Sequence, residues 1–367
     1  MVAARSSDNR QPAGLWRGWR GLGRFWLLLL FVLGIGAATL EVLGPSPQPA
    51  MIAVGPIVHA DPRVAKRQTP IVNTDKAPRS ASPLVRPGKD TAGPIADPDP
   101  SLQEPYPDET NLTLPRISPS GRAPMAAYAA GFDPSSLRPR VGILIAGIGM
   151  SGTDSLTAIK DLPPGVTLAI SPYAIDIAHI LALARMTEHE YLLSVPMEPQ
   201  GYPVNDPDDR HALMTSLPPA ENLGRLRWVL SRLSGYVGIT SAMGQMHGER
   251  LAGVPDQFDS VLEEAANRGL LFIDGTPGSW PLVHAWSRSV DMVVDDDQVD
   301  AAALDQRLDA LSHLALDKGS ALGLVSLPRP VTLARVAAWT TTLTARGLAL
   351  APVSALVLAP AKQEPEK

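Results

Sequence analysis

The stretch RVGILIAGIGMSG, residues 140–152, determines how the rest of the chain is interpreted. Residues 141–145 form a short uninterrupted apolar run, which is typical of a β-strand buried on both faces of a parallel sheet. The run ends at Ala146 and Gly147, and in parallel α/β folds the residues just past a strand's carboxyl end line the functional crevice. Neither residue has a side chain that can take part in chemistry, so the sequence predicts an inert surface where an active site is expected.

Downstream of this stretch, short apolar runs alternate with helical patterns, which predicts one parallel α/β domain over residues 140–357. Gly269, Gly319 and Gly347 each follow a helical pattern and precede an apolar run, as glycines that cap helices do. The residues alone leave open whether the sheet closes into a barrel or is doubly wound. The predicted strands are residues 141–145, 166–170, 191–195, 236–239, 270–273, 291–294, 321–326 and 348–352, and the predicted helices are residues 154–161, 177–186, 222–233, 256–268, 301–317 and 331–346.

The first segments of the chain predict export. Residues 1–24 carry five arginines and a single acid, and residues 25–43 are mainly apolar. The apolar segment approaches the roughly 20 residues that cross a bilayer. Because the arginines precede it, the positive-inside rule predicts a single-pass inner-membrane anchor with the domain on the periplasmic side. A cleaved signal peptide is the alternative, although its apolar core is usually only ~7–15 residues long.

Two further segments have the composition of disordered chain. Residues 44–139 are rich in Pro, Ala, Asp and Ser, which predicts an extended linker, with a short stretch at residues 125–132 that packs onto the domain edge. Residues 358–367 predict a disordered tail.

Overall composition excludes several classes of function. The chain has no cysteine, so disulfides, thiolate metal sites and a cysteine nucleophile are excluded. Its net charge is −5, so no global basic field recruits nucleic acid. The histidines show none of the spacings typical of zinc sites, and no serine-nucleophile motif occurs.

The glycines of residues 147–152 match the dinucleotide fingerprint G-x-G-x-x-G, between a predicted strand and a predicted helix. The next predicted strand ends in Ser171, Pro172 and Tyr173, so no acid follows it to bind a ribose hydroxyl. We therefore favour a glycine-rich βα turn over a nucleotide site.

Acidic residues follow three of the predicted strands. Glu198 lies between prolines that fix its loop, so it could bind sugar hydroxyls or act as an acid or base, or it could cap a surface turn. Asp274 could be a base, a ligand or a helix cap. Residues 295–297 are three consecutive aspartates, a pattern more typical of a solvated loop than of a metal site.

The order and spacing of the motifs over residues 141–356 resemble the divergent polysaccharide deacetylase family. The matching motifs are residues 142–145 with Gly149, 162–169, 171–173, 195–199 with 202–203 and 206–207, 235–238 with 243–244, 269–274, and 352–354.

This resemblance implies a distorted (β/α) barrel of the polysaccharide deacetylase type, a fold whose enzymes use a bound divalent ion and a carboxylate base to activate water. The implied metal and base positions fall on Ala146 and Gly147, on Ala242, and on Ser326 or its neighbour Leu327. None of these residues carries an imidazole or a carboxylate, the groups that such a site needs.

The resemblance still implies a pocket wall formed by Tyr173, Glu198, Tyr202 and Asp274, without a metal or other cofactor. The leading hypothesis is a membrane-anchored, glycan-binding pseudoenzyme whose ligand is a carbohydrate or cell-envelope polymer. Two alternatives stay open. One is an active hydrolase that uses Glu198 and Asp274 as a carboxylate pair without metal. The other is an envelope scaffold protein whose linker gives it reach to a protein partner.

Overall fold

A computed structural model describes residues 95–107, 109–205, 210–278, 284–296 and 300–360. All of them belong to one compact unit, residues 76–367. The predicted cytoplasmic segment, the predicted anchor, and the linker up to residue 94 lie outside the described residues. Within the described ranges, no helix combines the length and the apolar character that a membrane span requires.

The core of the fold is a nine-stranded parallel sheet with the strand order β8-β7-β6-β5-β4-β3-β10-β9, and β11 pairs with the start of β3. The consecutive strands β8 and β9 lie at opposite edges of this order. The sheet therefore curls into an open half-barrel rather than a hydrogen-bonded ring. Its strands are β3 (Arg140–Ile148), β4 (Thr167–Ile170), β5 (Tyr191–Ser194), β6 (Gly238–Thr240), β7 (Leu271–Asp274), β8 (Ser287–Ser289), β9 (Met292–Val293), β10 (Ser320–Val325) and β11 (Ala349–Leu350).

Helices connect the strands of the sheet, as parallel pairing requires. They are α1 (Pro124–Ala127), α2 (Gly152–Asp161), α3 (Ile177–Met186), α4 (Pro219–Leu230), α5 (Glu249–Ala252), α6 (Pro255–Asn267), α7 (Ala301–Lys318) and α8 (Pro330–Thr342). The predicted alternation of strands and helices is confirmed. The predicted glycine caps have the left-handed backbone that favours glycine, with φ of +69° at Gly269, +80° at Gly319 and +78° at Gly347.

Side chains of β3 alternate between two apolar clusters, because successive residues of a strand point to opposite faces of a sheet. Val141, Ile143 and Ile145 belong to the cluster that includes the helix residues, whereas Leu144 and Ala146 belong to the cluster inside the half-barrel. Both faces of the central strand are thus buried, which explains why the sequence shows an uninterrupted apolar run. Strand β8 was missed because Ser287–Ser289 has no apolar pattern.

Residues 95–132 form an ordered strap across the amino ends of the strands. Packing was predicted for residues 125–132 and is confirmed, whereas a disordered linker was predicted for residues 95–124. The strap contains a hairpin of β1 (Gln103–Pro105) and β2 (Thr113–Pro115), followed by α1. Leu102 and Tyr128 are buried in the interior cluster of the half-barrel. The predicted linker boundary at residue 139 is therefore wrong for this segment, because its few apolar residues find a core to pack against.

Candidate functional site

The carboxyl ends of β3–β7 and β10 form the mouth of the half-barrel, and the replaced metal positions converge there. Ala146 and Ala242 are both fully buried in the interior apolar cluster. Gly147 has φ of +73°, and a Cβ atom on it would lie 3.0 Å from Leu327 Cδ2 and 3.1 Å from Ser326 O. Gly147 is thus a direct neighbour of Ser326 and Leu327, and Ala146 and Ala242 belong to the same interior apolar cluster.

The divalent ion that this kind of fold implies does not fit these residues. Such an ion needs imidazole or carboxylate donors, whereas Ala146, Gly147 and Ala242 offer none and Leu327 packs against Gly147. No three His, Asp or Glu side chains in the described part of the chain are arranged to hold a metal. A carboxylate cannot simply be restored at position 147, because the left-handed backbone there disfavours any residue with a Cβ atom.

Glu198 follows β5 and is almost completely buried, at 2% exposure. Its Oε2 accepts hydrogen bonds from the backbone N–H of Thr215 at 2.6 Å and from the Thr215 hydroxyl at 2.7 Å. Its Oε1 lies 3.0 Å from Nη1 of Arg250. Both carboxylate oxygens are therefore engaged in fixing the loops after β5 and β6, as expected for a residue that orders the mouth from within.

Asp274 ends β7 and is also buried, at 2% exposure. Its Oδ1 accepts a hydrogen bond from the backbone N–H of Thr276 at 2.8 Å, which is the pattern of an Asx turn, and lies 3.4 Å from the Ser241 hydroxyl. The same hydroxyl accepts a hydrogen bond from the N–H of Gly275 at 2.9 Å. Asp274 thus stabilises the turn after β7 and links it to the end of β6.

Tyr173 follows β4 and is the exposed member of an aromatic group. Its ring centroid lies 6.1 Å from Trp228 of α4 and 6.5 Å from His211, and the rings of His211 and Trp228 stack at 3.5 Å. The guanidinium of Arg232 lies 5.0 Å from the Trp228 ring, within the range of a cation–π contact. Tyr202, half-buried in the loop after β5, is not part of this group.

Asp295 is a buried residue that sequence reasoning missed. It is fully buried, and its oxygens accept hydrogen bonds from the backbone N–H groups of Ser326 at 2.6 Å and Leu327 at 3.0 Å. The solvated loop predicted for residues 295–297 is therefore wrong at Asp295, although Asp296 is exposed; Asp297 lies outside the described residues. Its position directly after an apolar strand pattern was the available signal.

His247, in the loop after β6, is the second residue that sequence reasoning missed. Its side chain is 12% exposed, and its Nδ1 lies 3.6 Å from Oε1 of Glu249. Its Nε2 is buried and has no hydrogen-bond partner among the described residues. Burial lowers the pKa of this imidazole, and the charges of Glu249, Asp274, Asp295 and Asp296 oppose that shift only in part. The imidazole of His247 is therefore protonated less readily than a free one.

Two other histidines differ in burial. His189 is fully buried, and its ring nitrogens lie 2.8 Å from the carbonyl oxygen of Val166 and 3.1 Å from that of Ile159. His179 is exposed on α3.

Comparison with known proteins identifies relatives of this fold. The family described as divergent polysaccharide deacetylase matches residues 143–357. The crystal structure of an uncharacterized protein from Agrobacterium tumefaciens C58 is similar, with 29% sequence identity and a TM-score of 0.60, covering 66% of this chain and 99% of that chain. A protein from Mycobacterium smegmatis is more distant, with 14% identity, a TM-score of 0.38, and coverage of 65% of this chain and 99% of that chain. No curated protein matches.

Proposed function

We propose a function from one established premise, that this chain belongs to the divergent polysaccharide deacetylase family. The proposed function is that of a glycan-binding protein of the cell envelope that does not hydrolyse its ligand. The observation that carries this proposal is the side-chain chemistry at the positions where the resemblance implies a metal site: Ala146 and Ala242 belong to the interior apolar cluster, and Leu327 lies against Gly147. Without ligands for an ion and without a carboxylate base at these positions, the mouth has no means of activating water in the way that metal-dependent deacetylation requires.

Carbohydrate is the ligand class that the family membership favours. The mouth keeps features that suit a sugar, namely the exposed ring of Tyr173 and the exposed carboxylate of Asp296. Aromatic rings pack against the apolar faces of sugar rings, and carboxylates accept hydrogen bonds from sugar hydroxyls. The predicted anchor of residues 25–43 supports a location on the periplasmic side of the inner membrane, where envelope glycans are found.

Metal-free hydrolysis by Glu198 and Asp274 is less well supported than binding. A glycosidase needs one carboxylic acid and one carboxylate that are both directed at the ligand. Glu198 is instead held by Thr215 and Arg250, and Asp274 accepts hydrogen bonds within its own turn. Their arrangement therefore favours a structural role for both acids.

The scaffold alternative is favoured by one observation, an apolar rim beside the mouth. Met150 is 53% exposed, Tyr173 38% and Ile175 88%. The loops that carry them meet, because a Cβ atom on Gly149 would overlap Ala174. Neighbouring exposed apolar side chains of this kind are typical of protein contacts when they form a large patch.

Metal content and acetate release test the proposal together on the purified full chain. We expect bound zinc, nickel and cobalt well below one equivalent, no release of acetate from acetylated glycans, and measurable glycan binding by calorimetry. An authentic metal-dependent polysaccharide deacetylase assayed in parallel shows that the conditions permit turnover. Stoichiometric metal together with acetate release would overturn the proposal.

A further inference from the structure

We propose that the mouth binds a soft monovalent metal ion, Cu(I), through the thioether sulfurs of Met150, Met243 and Met246. This site differs in chemistry from the divalent site that the resemblance implies, because a site of that kind needs imidazole or carboxylate donors. The inference goes beyond the proposed glycan binding and does not depend on it.

The first argument is a tight turn in the loop after β6 that places two methionines side by side. The N–H of Met243 donates to the carbonyl oxygen of Met246 at 2.8 Å, and the N–H of Met246 donates to the carbonyl oxygen of Met243 at 3.2 Å. The two residues thus form an antiparallel bridge. Side chains that oppose each other in this way lie on the same side of the chain pair, with Cβ atoms roughly 4.5–5.5 Å apart. Both thioethers are therefore within reach of a single ion.

The second argument is that a third methionine contacts the same turn from another loop. Met150 follows β3, and its Sδ lies 3.4 Å and its Cε 3.5 Å from the position of a Cβ atom on Gly244. Gly244 lies within the turn, directly after Met243. Strands β4 and β5 separate β3 from β6 in the sheet. The side chain of Met150 therefore crosses the mouth and brings a third thioether to the turn.

The third argument is that the apolar core does not use these three side chains. Met243 is 5% exposed, Met246 is half-buried, and Met150 is 53% exposed. None of the three belongs to either apolar cluster of the described residues. Met197, by contrast, is 1% exposed and belongs to the cluster that includes the helix residues. Packing of the core thus accounts for Met197 but not for the three methionines at the turn.

The chemistry of the donors determines which ion they suit. Thioether sulfur is a soft ligand that selects Cu(I), whereas Mg²⁺, Ca²⁺ and Mn²⁺ prefer carboxylate, carbonyl and water oxygens. Thioethers are also uncharged, so a monovalent ion loses less on leaving water than a divalent ion does. A methionine side chain has three rotatable bonds, so the exposed side chain of Met150 can turn aside to admit the ion and then contact it.

The test is an anaerobic titration of Cu(I) into the full chain in competition with the chelator bicinchoninate. The chain has no cysteine, so no thiolate contributes to the binding that is measured. We expect one equivalent of Cu(I) to be withdrawn from the chelator, and X-ray absorption of the bound ion should show sulfur neighbours. No withdrawal of Cu(I), or a bound ion with only nitrogen and oxygen neighbours, would overturn the proposal.

Three leucine variants identify the ligands, namely Met150→Leu, Met243→Leu and Met246→Leu. Leucine keeps the volume of the side chain and removes only the sulfur, so the fold is retained. We expect each variant to weaken Cu(I) binding about tenfold or more, at least as much as the loss of a group behind a metal ligand costs. The matched control is Met186→Leu on α3, a methionine that is 73% exposed, and it should leave the affinity unchanged. Unaltered affinity in all three variants would refute the assignment.

A second measurement reports on the wild-type chain and does not rely on variants that fold. The ten methionines are labelled with ¹³C at their methyl groups, and the full chain is titrated with Ag(I), a soft ion that does not change its oxidation state. We expect the methyl signals of Met150, Met243 and Met246 to shift together and to saturate at one equivalent. Shifts spread over all methionines, or larger at Met186 than at the turn, would show non-specific binding and contradict the proposal.

Discussion

Glu190 precedes β5 and joins three separate parts of the fold at the amino end of the half-barrel. Its Oε1 accepts hydrogen bonds from the Thr167 hydroxyl at 3.1 Å and the N–H of Ser354 at 2.9 Å. Its Oε2 accepts hydrogen bonds from the N–H of Ala130 at 3.1 Å and the Ser354 hydroxyl at 2.5 Å. Burial raises the pKa of this carboxyl, and the four donors offset the shift only in part.

We expect this raised pKa to make stability depend on pH. A carboxyl whose folded-state pKa exceeds its unfolded value of about 4.3 contributes most below that value, and the contribution is lost as pH rises through the folded-state pKa. Glu190→Gln removes this pH dependence, because an amide does not titrate. It also lowers the free energy of unfolding by about 1–3 kcal/mol, because the amide N–H₂ would face the N–H and O–H groups that now donate to the carboxyl. Urea unfolding at several pH values measures both effects. Glu221→Gln is the control, because Glu221 is an exposed residue of α4 that pairs with Arg225. If the free energy of unfolding depends on pH in the same way for wild type and Glu190→Gln, the prediction is wrong.

Gly147 tests whether the apolar packing of the mouth is obligatory. With φ of +73° and Leu327 Cδ2 3.0 Å from the position of a Cβ atom, Gly147→Ala is expected to cost about 1–3 kcal/mol. Chemical denaturation measures the loss. Gly152→Ala is the matched control, because nothing lies within 4 Å of its Cβ position and its φ is ordinary. Equal stability of the two variants would show that the mouth adapts more readily than its geometry indicates.

The residue scale also shows what sequence can and cannot reveal about the site. Ala146 and Ala242 could be assigned to the mouth because their motifs follow strands that the apolar pattern identifies. Asp295 also follows an apolar strand pattern, but its burial depends on backbone N–H groups from a distant part of the chain. His247 lies in a loop, where no apolar pattern marks it as buried. Local composition classed Asp295 with its exposed neighbour Asp296, although Ser326 and Leu327 bind it.

At the scale of elements, the strap depends on Arg268 at the end of α6. Its Nη1 donates to Oε1 of Glu104 at 2.8 Å and to the carbonyl oxygen of Pro115 at 2.9 Å, and its Nε donates to Oε1 of Glu264 at 2.8 Å. Burial would raise the pKa of Glu264, but the hydrogen bonds and charges of Arg227 and Arg268 outweigh it and lower that pKa. One arginine thus ties both strands of the hairpin to the domain.

We expect Arg268→Ala to destabilise the protein by about 3 kcal/mol, because it leaves Glu264 largely buried beside a single remaining arginine. Thermal unfolding measures the loss, and limited proteolysis should show earlier cleavage within the strap. Arg346→Ala is the control, since it removes an exposed pair with Asp309 and should change stability by less than about 1 kcal/mol. Similar effects of the two substitutions would show that the strap contributes little.

The strap also explains why elements differ in how well sequence predicts them. Strands such as β4 and β5 carry their own signal, because burial on both faces requires a continuous apolar run. The strap has only scattered apolar residues among prolines, and Leu102 and Tyr128 become part of the core only once the half-barrel exists. Amino-acid composition describes a segment without the surface it packs against, so it predicted disorder for most of the strap.

At the scale of the whole molecule, the first and last segments of the described chain pack at the same end of the half-barrel. Asp97 pairs with Arg185 at the end of α3, and Ser287 at the start of β8 pairs with Leu358. The described chain therefore enters and leaves at the amino ends of the strands. The mouth lies at the opposite end of the strands.

This arrangement predicts that glycan binding is independent of the tether. We expect residues 76–367 to bind an envelope glycan with the same dissociation constant as the full chain, because that compact unit contains every residue of the mouth. The tether then affects only where the domain can reach in the envelope. Calorimetry on both forms measures this, and Glu198→Ala in the full chain reports whether an ordered mouth is required. If shortening the tether abolishes binding while Glu198→Ala leaves it intact, the scaffold alternative replaces glycan binding, because the recognised surface then lies before residue 76 and not at the mouth.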